Sequence, residues 1–301
     1  MFLTSLLTKL SHKGKDINYN DLLVMPSNQT GISKKIFQIY LTTNCKAKLS
    51  QRLVDNIEKI KSLNPEWEYN LFTYKNVKPF ILQNYGKIVY SYFSRINPKY
   101  GAARADFLRY LLIYHYGGVY LDLKCTFTKP LSDSLLTSDA FVLPIWGEHG
   151  ERDRSVIPSD ITRELLLNPV IISSPGHPFI YRLLVNIMKK IDSYNPYTDG
   201  VGWNGVHEVT GPWIYSRSIY ECIDKNNGLF RRDDIHQSLG YCLSIYKNKE
   251  NNEYGGVGLH AETKMTDYRR NVEPVVKNDN QVLEMVNRIY LHILFKYRKM
   301  K

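Results

Sequence analysis

An open α/β fold, with a mixed and mostly parallel sheet flanked by helices, is what this sequence predicts. Three observations carry the prediction. Short β-branched and aromatic runs alternate along the chain with longer stretches of helical periodicity. Helix-starting and helix-stopping residues fall between these runs rather than inside them. The chain has 301 residues, 43% apolar and 23% charged, which is enough for one large core and excludes wholesale disorder or a multi-span membrane protein.

Residues 1–33 read as a polar lead that includes Pro26-Ser27-Asn28. The opening MFLTSLLTKL has an apolar run too short to span a bilayer and no small-residue cleavage site after it, so neither a signal peptide nor a transmembrane segment is expected. A domain is expected over 34–277, beginning with KKIFQIYLT (Lys34 to Thr42), β-rich and apolar enough for a core strand. Leu49, Leu53, Ile57 and Ile60 recur at helical spacing, and Asn64-Pro65 stops that helix before the strand-like WEYNLFTY. Strand, helix, strand opens a parallel sheet.

Good helix formers with a wide apolar face run from Ala102 to Tyr116, and Gly117-Gly118 supplies the left-handed geometry that ends a helix. In VYLDLKCTF, Val119, Leu121, Leu123, Cys125 and Phe127 alternate with Tyr120, Asp122, Lys124 and Thr126, so one strand through Phe127 is expected, with Asp122 and Lys124 side by side. DAFVLPIW, Asp139 to Trp146, reads as another strand. Helices are expected at Pro178 to Ile191 and at Pro212 to Ile223, the second introduced by Thr210-Gly211-Pro212. The segment 278–301 reads as an amphipathic helix with a basic end, packed on the same domain.

The net charge of +11 attracts polyanions: phosphorylated small molecules, anionic lipid or nucleic acid. Positive residues are scattered except near the two ends, and no dense basic run or Cys/His module favours a nucleic-acid partner; a diphosphate ligand needs fewer charges. Cys45, Cys125, Cys222 and Cys242 lie far apart without a CxxC pair, which fits a reducing, cytoplasmic location for a soluble protein, or one in peripheral membrane contact. Abundant Asn, Lys, Ile and Tyr suit an AT-rich genome, such as that of a large DNA virus or an AT-rich microbe.

An acid carried outward just after a Gly-Gly turn presents its carboxylate at the sheet edge, where open α/β sheets place their ligands. Asp122 is therefore the leading candidate for a site. The run from Arg104 to Pro130, RADFLRYLLIYHYGGVYLDLKCTFTKP, resembles the sugar-binding region of glycosyltransferase family 32, which includes yeast mannosyltransferases and many polysaccharide-building enzymes. It joins an Ala-Asp-x-x-Arg-Tyr helix, a Gly-Gly turn and a Tyr-x-Asp strand at fixed spacing, and the glucosylating clostridial toxins look similar over the same stretch. Lys35 to Tyr40, Asn64-Pro65-Glu66-Trp67 and Thr210-Gly211-Pro212 also look like family landmarks.

The resemblance implies a GT-A fold with a Rossmann-like nucleotide-sugar half, a UDP- or GDP-sugar donor, a glycan or protein hydroxyl as acceptor, and transfer with retention. It matches Asp106 and Arg109 to positions that grip the donor sugar, with Arg104 and Gly118 in the same donor-binding stretch, Tyr120 to an aromatic residue near the donor, and Gln38 and Tyr40 to the neighbourhood of the nucleotide base. Spacing of i and i+3 puts Asp106 and Arg109 on one helical face. Asp122 matches the first acid of the Asp-x-Asp motif, which holds Mn²⁺ or Mg²⁺ against the diphosphate.

Lys124 replaces the family's second acid. A protonated ammonium cannot ligate a metal, but it can contact phosphate oxygens and supply positive charge, so Asp122 and Lys124 together are the candidate catalytic residues and metal dependence is open. His260 lies where the family tends to put a C-terminal metal or diphosphate contact; Asp233, Asp234 and His236 are comparable candidates with the plain alternative of a charged helix start. Trp67 reads as a core residue. Acceptor contacts are expected from loops in 147–174 and in the C-terminal third. Two rivals stand beside a transferase: a catalytically silent sugar or nucleotide binder, and a scaffold on membranes or polyanions.

Overall fold

The computed structural model describes residues 17–26, 31–42, 48–145, 157–166, 168–223, 229–246, 268–278 and 281–299. Six strands form one sheet: β1 (Lys35–Tyr40), β2 (Glu68–Thr73), β3 (Gly118–Leu121), β4 (Phe141–Pro144), β5 (Val170–Ser173) and β6 (Arg231–Asp233), in the order β2-β1-β3-β5-β4-β6. Strand β1 pairs in parallel with β2 over its whole length and with β3 at Ile36–Val119 and Phe37–Tyr120. Only β5 runs against the rest, antiparallel to both β3 and β4, while β6 joins β4 in parallel. This is the open, mixed, mostly parallel sheet expected from the sequence.

Because the side-chain period of a strand is two, alternate residues feed two cores. Phe37, Ile39, Tyr120, Phe141, Leu143 and Ile171 enter one, covered by α2 (Tyr74–Arg95), α3 (Gly101–Tyr116), α4 (Pro178–Ser193), α5 (Gly202–Val209) and α6 (Pro212–Ile223). Ile36, Val119, Leu121, Val142, Val170 and Ile172 enter the other, with Ile60 of α1 (Gln51–Leu63 in the sequence before β2) and Ile235 of α7 (Ile235–Ser238). The helix α1 starts at Ser50, whose hydroxyl accepts from Leu53 N at 3.4 Å. It stops at Asn64, held off helical geometry by the following Pro65.

Helix α2 carries Pro79 and is broken at Gly86, where φ is +77°. Helix α3 is buried on every side from Asp106 to Tyr114, as befits a helix that is apolar nearly all round. The two glycines after it do different work. Gly117 has φ +64° and leaves room for Pro175, whose Cδ would be 2.6 Å from an added Cβ; Gly118 has φ +91°, and a Cβ there would collide with the Lys35 carbonyl oxygen of β1. A side chain at Gly118 would therefore prise β3 from the sheet. The last helix, α8 (Gln281–Lys299), meets the body through Tyr197, whose hydroxyl donates to Asn287 Oδ1 at 2.7 Å.

Two expectations need correcting. The strand does not continue to Phe127: it ends at Leu121, and Asp122 to Cys125 form a turn closed by Cys125 N donating to Asp122 O at 2.8 Å. Thr126 then bridges Cys242 as an isolated antiparallel contact. Alternation in VYLDLKCTF survives as burial of Leu123, Cys125 and Phe127, produced by a turn that folds back onto the core rather than by an extended chain. Asp122 and Lys124 sit in one turn, not side by side on a strand. Likewise 147–174 is not all loop, since Val170–Ser173 is the central strand β5. No helix among the described residues is long and apolar enough to cross a membrane.

Candidate active site

Helix α3 runs antiparallel to the strand that follows it, so its first turns lie at the C-terminal ends of β1 and β3. Gly101 sits against the Leu41 carbonyl there. This edge is where open α/β sheets bind ligands. Asp106 and Arg109, one turn apart on α3, meet Asp122 immediately beyond β3. Arg109 Nη2 lies 2.8 Å from Asp106 Oδ1 and 3.1 Å from Asp122 Oδ1. The guanidinium is 4.5 Å over the Tyr120 ring, whose hydroxyl donates to Asp122 Oδ1 at 2.7 Å.

Backbone carbonyls complete the hold. Arg109 Nη1 donates to Asn168 O at 2.7 Å, and Asp122 N donates to Pro169 O at 2.8 Å. Behind them Asn168 Nδ2 donates to Tyr110 Oη at 3.3 Å, Tyr110 Oη to Thr210 O at 3.0 Å, and Thr210 Oγ1 to Asp106 Oδ2 at 3.1 Å. The result is a closed ring through α3, the segment before β5 and the α5–α6 junction. Neither Asn168 nor Thr210 was expected as a site residue from the sequence. Asn168 carries no pattern that could have exposed it, whereas Thr210 stands in the Thr-Gly-Pro landmark.

Burial differs sharply across the group. The Asp122 side chain is 23% exposed and Arg109 only 6%, so Asp122 faces the cleft and the arginine lies behind it. Burial pushes the Asp106 carboxyl up to about 7; the Arg109 charge pulls it down, Asp122 adds to the rise, and the Thr210 hydroxyl opposes it. Burial works to discharge Arg109, but Asp122, Tyr120 and Asp106 outweigh it, and its pKa is raised. The Tyr120 phenol is raised by burial and stays protonated, able to donate to Asp122. Arg109 Nε has no hydrogen-bond partner among the described residues.

The other expected residues fall in several places. Gln38 is fully buried, its Nε2 donating to Asp122 O at 3.2 Å and its Oε1 accepting from Tyr69 at 2.7 Å, so its amide holds the acidic turn from below. Tyr40 is buried against Leu53, Ile57, Leu123 and Tyr246 with its hydroxyl unpartnered among the described residues. Lys124 is half-buried in the Asp122 turn. Arg104 points to different partners: Nε donates to Ile96 O at 2.9 Å and the guanidinium lies 5.1 Å from the Phe93 ring. Gly118 serves the approach of β3 to β1 described above.

Asp233 accepts from Ser134 and Ser238 and pairs with Arg231, and Asp234 caps α7 by accepting from His236 N at 3.1 Å. These two acids serve the charged helix start. Trp67 is in the core, as expected. His260 lies outside the described residues. A divalent cation would find one cleft-facing carboxylate here, Asp122, with Oδ1 already receiving Arg109 and Tyr120. Among the described residues no three His, Cys, Asp or Glu side chains converge as a metal site, so this donor set does not fit a metal by itself.

Comparison with known proteins bears on the same stretch. Residues 50–142, which contain Asp106, Arg109, Tyr120 and Asp122, match the family described as "Glycosyltransferase sugar-binding region containing DXD motif". Inositol phosphoceramide mannosyltransferase 3 of Schizosaccharomyces pombe is 31% identical over 172 residues, covering 57% of this chain and 42% of that protein. Inositol phosphoceramide mannosyltransferase 1 of the same yeast is 27% identical over 170 residues, covering 54% and 45%. The chain thus spans less than half the length of these curated relatives. Among solved structures, a PaToxG glycosyltransferase aligns over 89% of this chain and 99% of its own at 14% identity, with a TM-score of 0.47.

Proposed function

We propose that this chain, which carries the sugar-binding region of the DXD glycosyltransferases in residues 50–142, moves a hexose from a nucleoside-diphosphate sugar to an acceptor hydroxyl with retention. The observation that supports this reading is the single guanidinium of Arg109 bridging Asp106 and Asp122 at the C-terminal edge of the sheet. Two carboxylates fixed by one buried cation form a rigid set of acceptors for sugar hydroxyls, and rigid polar groups in a cleft bind and orient without reorganising. Asp122, the more exposed acid, faces the donor; Asp106 and Arg109 set its position.

Leaving-group charge on the diphosphate is the main barrier to transfer. Lys124 in the Asp122 turn is the cation proposed to meet it, in the place where the family has its second acid. Donor sugars to try first are GDP-mannose, since both relatives are named as mannosyltransferases, and UDP-hexoses. Glycan and protein hydroxyls remain the acceptor classes read from the sequence, and the relatives' names add a phosphoinositol lipid headgroup to the panel.

The deciding experiment is nucleotide release from UDP- and GDP-sugars with Mn²⁺, with Mg²⁺ and with EDTA, because slow donor hydrolysis needs no acceptor. Cleavage of one donor supports the transferase. Binding without cleavage by any acceptor-supplied mixture supports the silent binder instead.

A second reading, attachment to an anionic membrane surface, is supported by α8. Val282, Met285, Ile289 and Ile293 follow one face of that helix and are 70%, 59%, 53% and 58% exposed. After Glu284 the chain has no acid, while Arg288, Lys296, Arg298, Lys299 and Lys301 are basic. An exposed apolar stripe with flanking cations is the pattern of a helix that lies in a lipid interface.

A further inference from the structure

The Thr210-Gly211-Pro212 junction has no part in donor chemistry as drawn above, yet its first residue reaches the Asp106 carboxylate, with Thr210 Oγ1 3.1 Å from Asp106 Oδ2. Its three residues are there for separable reasons. Pro212 opens α6, and Gly211 packs so close to α5 that an added Cβ would be 2.9 Å from His207 Cα. Thr210 ends α5 and is fully buried, its hydroxyl toward Asp106 and its carbonyl accepting from Tyr110.

We propose that Thr210 is a positioning residue that fixes the orientation and charge state of Asp106 for donor binding, an inference that rests on the transferase reading above. A threonine hydroxyl has one proton and can also accept. Thr210 Oγ1 lies 3.1 Å from Asp106 Oδ2 and 3.5 Å from Val206 O. When Asp106 is ionised the hydroxyl donates to it. When Asp106 is protonated, the carboxyl donates to Oγ1 and the hydroxyl turns to the Val206 carbonyl. Both states give the Thr210 hydroxyl proton and the carboxyl proton an acceptor, so one side chain accommodates either charge without moving the backbone.

The groups that face Asp106 show why such a partner matters. Arg109 and Tyr110 approach from α3, Tyr120 and Asp122 from β3 and its turn, and Tyr215 of α6 stacks on Tyr110 with ring centroids 6.0 Å apart. Among these Arg109 is a fixed cation that Asp106 must share with Asp122. Two carboxylates compete for one guanidinium, and the Thr210 hydroxyl gives Asp106 a second stabilising contact while Tyr120 gives one to Asp122. Burial holds the Asp106 midpoint close to neutrality, so the loss of that contact falls in an accessible pH range.

The test uses the full chain labelled with carboxyl-¹³C aspartate, with the Asp106 resonance assigned through Asp106→Asn. Its titration is followed in wild type, Thr210→Val and Thr210→Ser, together with the pH profile of nucleotide release from GDP-mannose or whichever UDP-hexose the wild type cleaves. In Thr210→Val the Asp106 midpoint is expected to rise by about one pH unit, the size of one hydrogen bond to a charged group. The acid limb of nucleotide release should move with it, donor KM should rise about 10-fold, and serine should bring all three back.

An Asp106 midpoint that stays in place overturns the proposal. So does a fall in release that is uniform with pH and uncorrected by serine, the signature of a merely structural threonine. Should valine prevent folding, Thr210→Ala is read in the same way. A wild type that cleaves no donor even with the acceptor panel, while the midpoint still shifts, counts against the transferase reading instead, because the titration does not depend on chemistry at the cleft.

Discussion

Arg109 Nη2 and Asp122 Oδ1, 3.1 Å apart, tie the middle of the central helix to the residue just past the strand that follows it. The same nitrogen holds Asp106, so removing the guanidinium strands two carboxylates at once. Arg109→Met is expected to destabilise the fold by about 3–5 kcal/mol, the usual cost of breaking a buried pair. Urea unfolding at pH 8 measures this, and a change under about 1 kcal/mol would show that the bridge is not formed in solution. Asp122→Ala, being nearer solvent, should instead lower nucleotide release by about 10²-fold to 10³-fold with little loss of stability.

Asp106 gives a pH signature. Its folded-state pKa is raised above the unfolded value, so its contribution to stability is complete below about pH 4 and is lost as the pH rises through about 7. Asp106→Asn lacks that loss. Relative to wild type the variant should therefore gain stability between pH 4 and 7, by a few kcal/mol, and the difference should be flat above pH 8. Chemical unfolding across this range that shows a constant difference would contradict a raised Asp106.

Lys124 can be separated from a metal by exchange. Lys124→Met is expected to lower nucleotide release by about 10²-fold, equally with Mn²⁺ and with EDTA. Lys124→Asp, which recreates an Asp-x-Asp sequence, should recover release with Mn²⁺ and lose it in EDTA. If wild-type release is itself abolished by EDTA, the assignment of charge neutralisation to Lys124 is wrong.

Gly118→Ala tests the packing of β3 on β1. The substitution combines a positive φ with a collision against the Lys35 carbonyl, and a loss on the order of 3 kcal/mol is expected, read as a fall of about 5–10 °C in thermal midpoint. Gly86→Ala is the control, since nothing lies within 4 Å of a Cβ there although φ is +77°. It should cost only the backbone strain, on the order of 1–3 kcal/mol.

The exposed face of α8 predicts binding to vesicles of phosphatidylcholine with phosphatidylserine, weakened by salt and absent with phosphatidylcholine alone. Ile289→Asp with Ile293→Asp should abolish it without changing nucleotide release. Self-association that the same pair of substitutions abolishes, with no vesicle binding in wild type, would assign the face to a second copy of the chain.

Strands β1 to β4 were legible as short β-rich, largely apolar runs, whereas β5 and the polar β6, Arg231–Asp233, were not expected. Asn64-Pro65 ends α1 and Pro212 opens α6 where the sequence says they should. Helix α2 was not legible: no helical pattern was read over 74–95, and the helix that forms there carries Pro79 and breaks at Gly86. The β3 boundary was misread because a turn that tucks Leu123 and Cys125 into the core copies the alternation of a strand. At the candidate site, Asp106, Arg109, Tyr120 and Asp122 were picked out through the family resemblance, and the structure brings the four together. The Asn168 and Pro169 carbonyls could not be picked out, because main-chain atoms leave no trace in side-chain identity.

That last point follows from the one reversed strand. Since β5 runs against its neighbours, it begins where they end, and the two peptides before Val170 arrive beside Arg109 and Asp122 carrying oxygens that any amino acid would provide. A deep mutational scan read out on donor turnover should therefore be quiet at 169 and loud at 109 and 122, although the three are equally part of the clamp. Insertions or deletions between 157 and 169 should be far more damaging than substitutions there, because they alter how the chain enters the sheet. The candidate site would be guarded on that side by chain length rather than by composition.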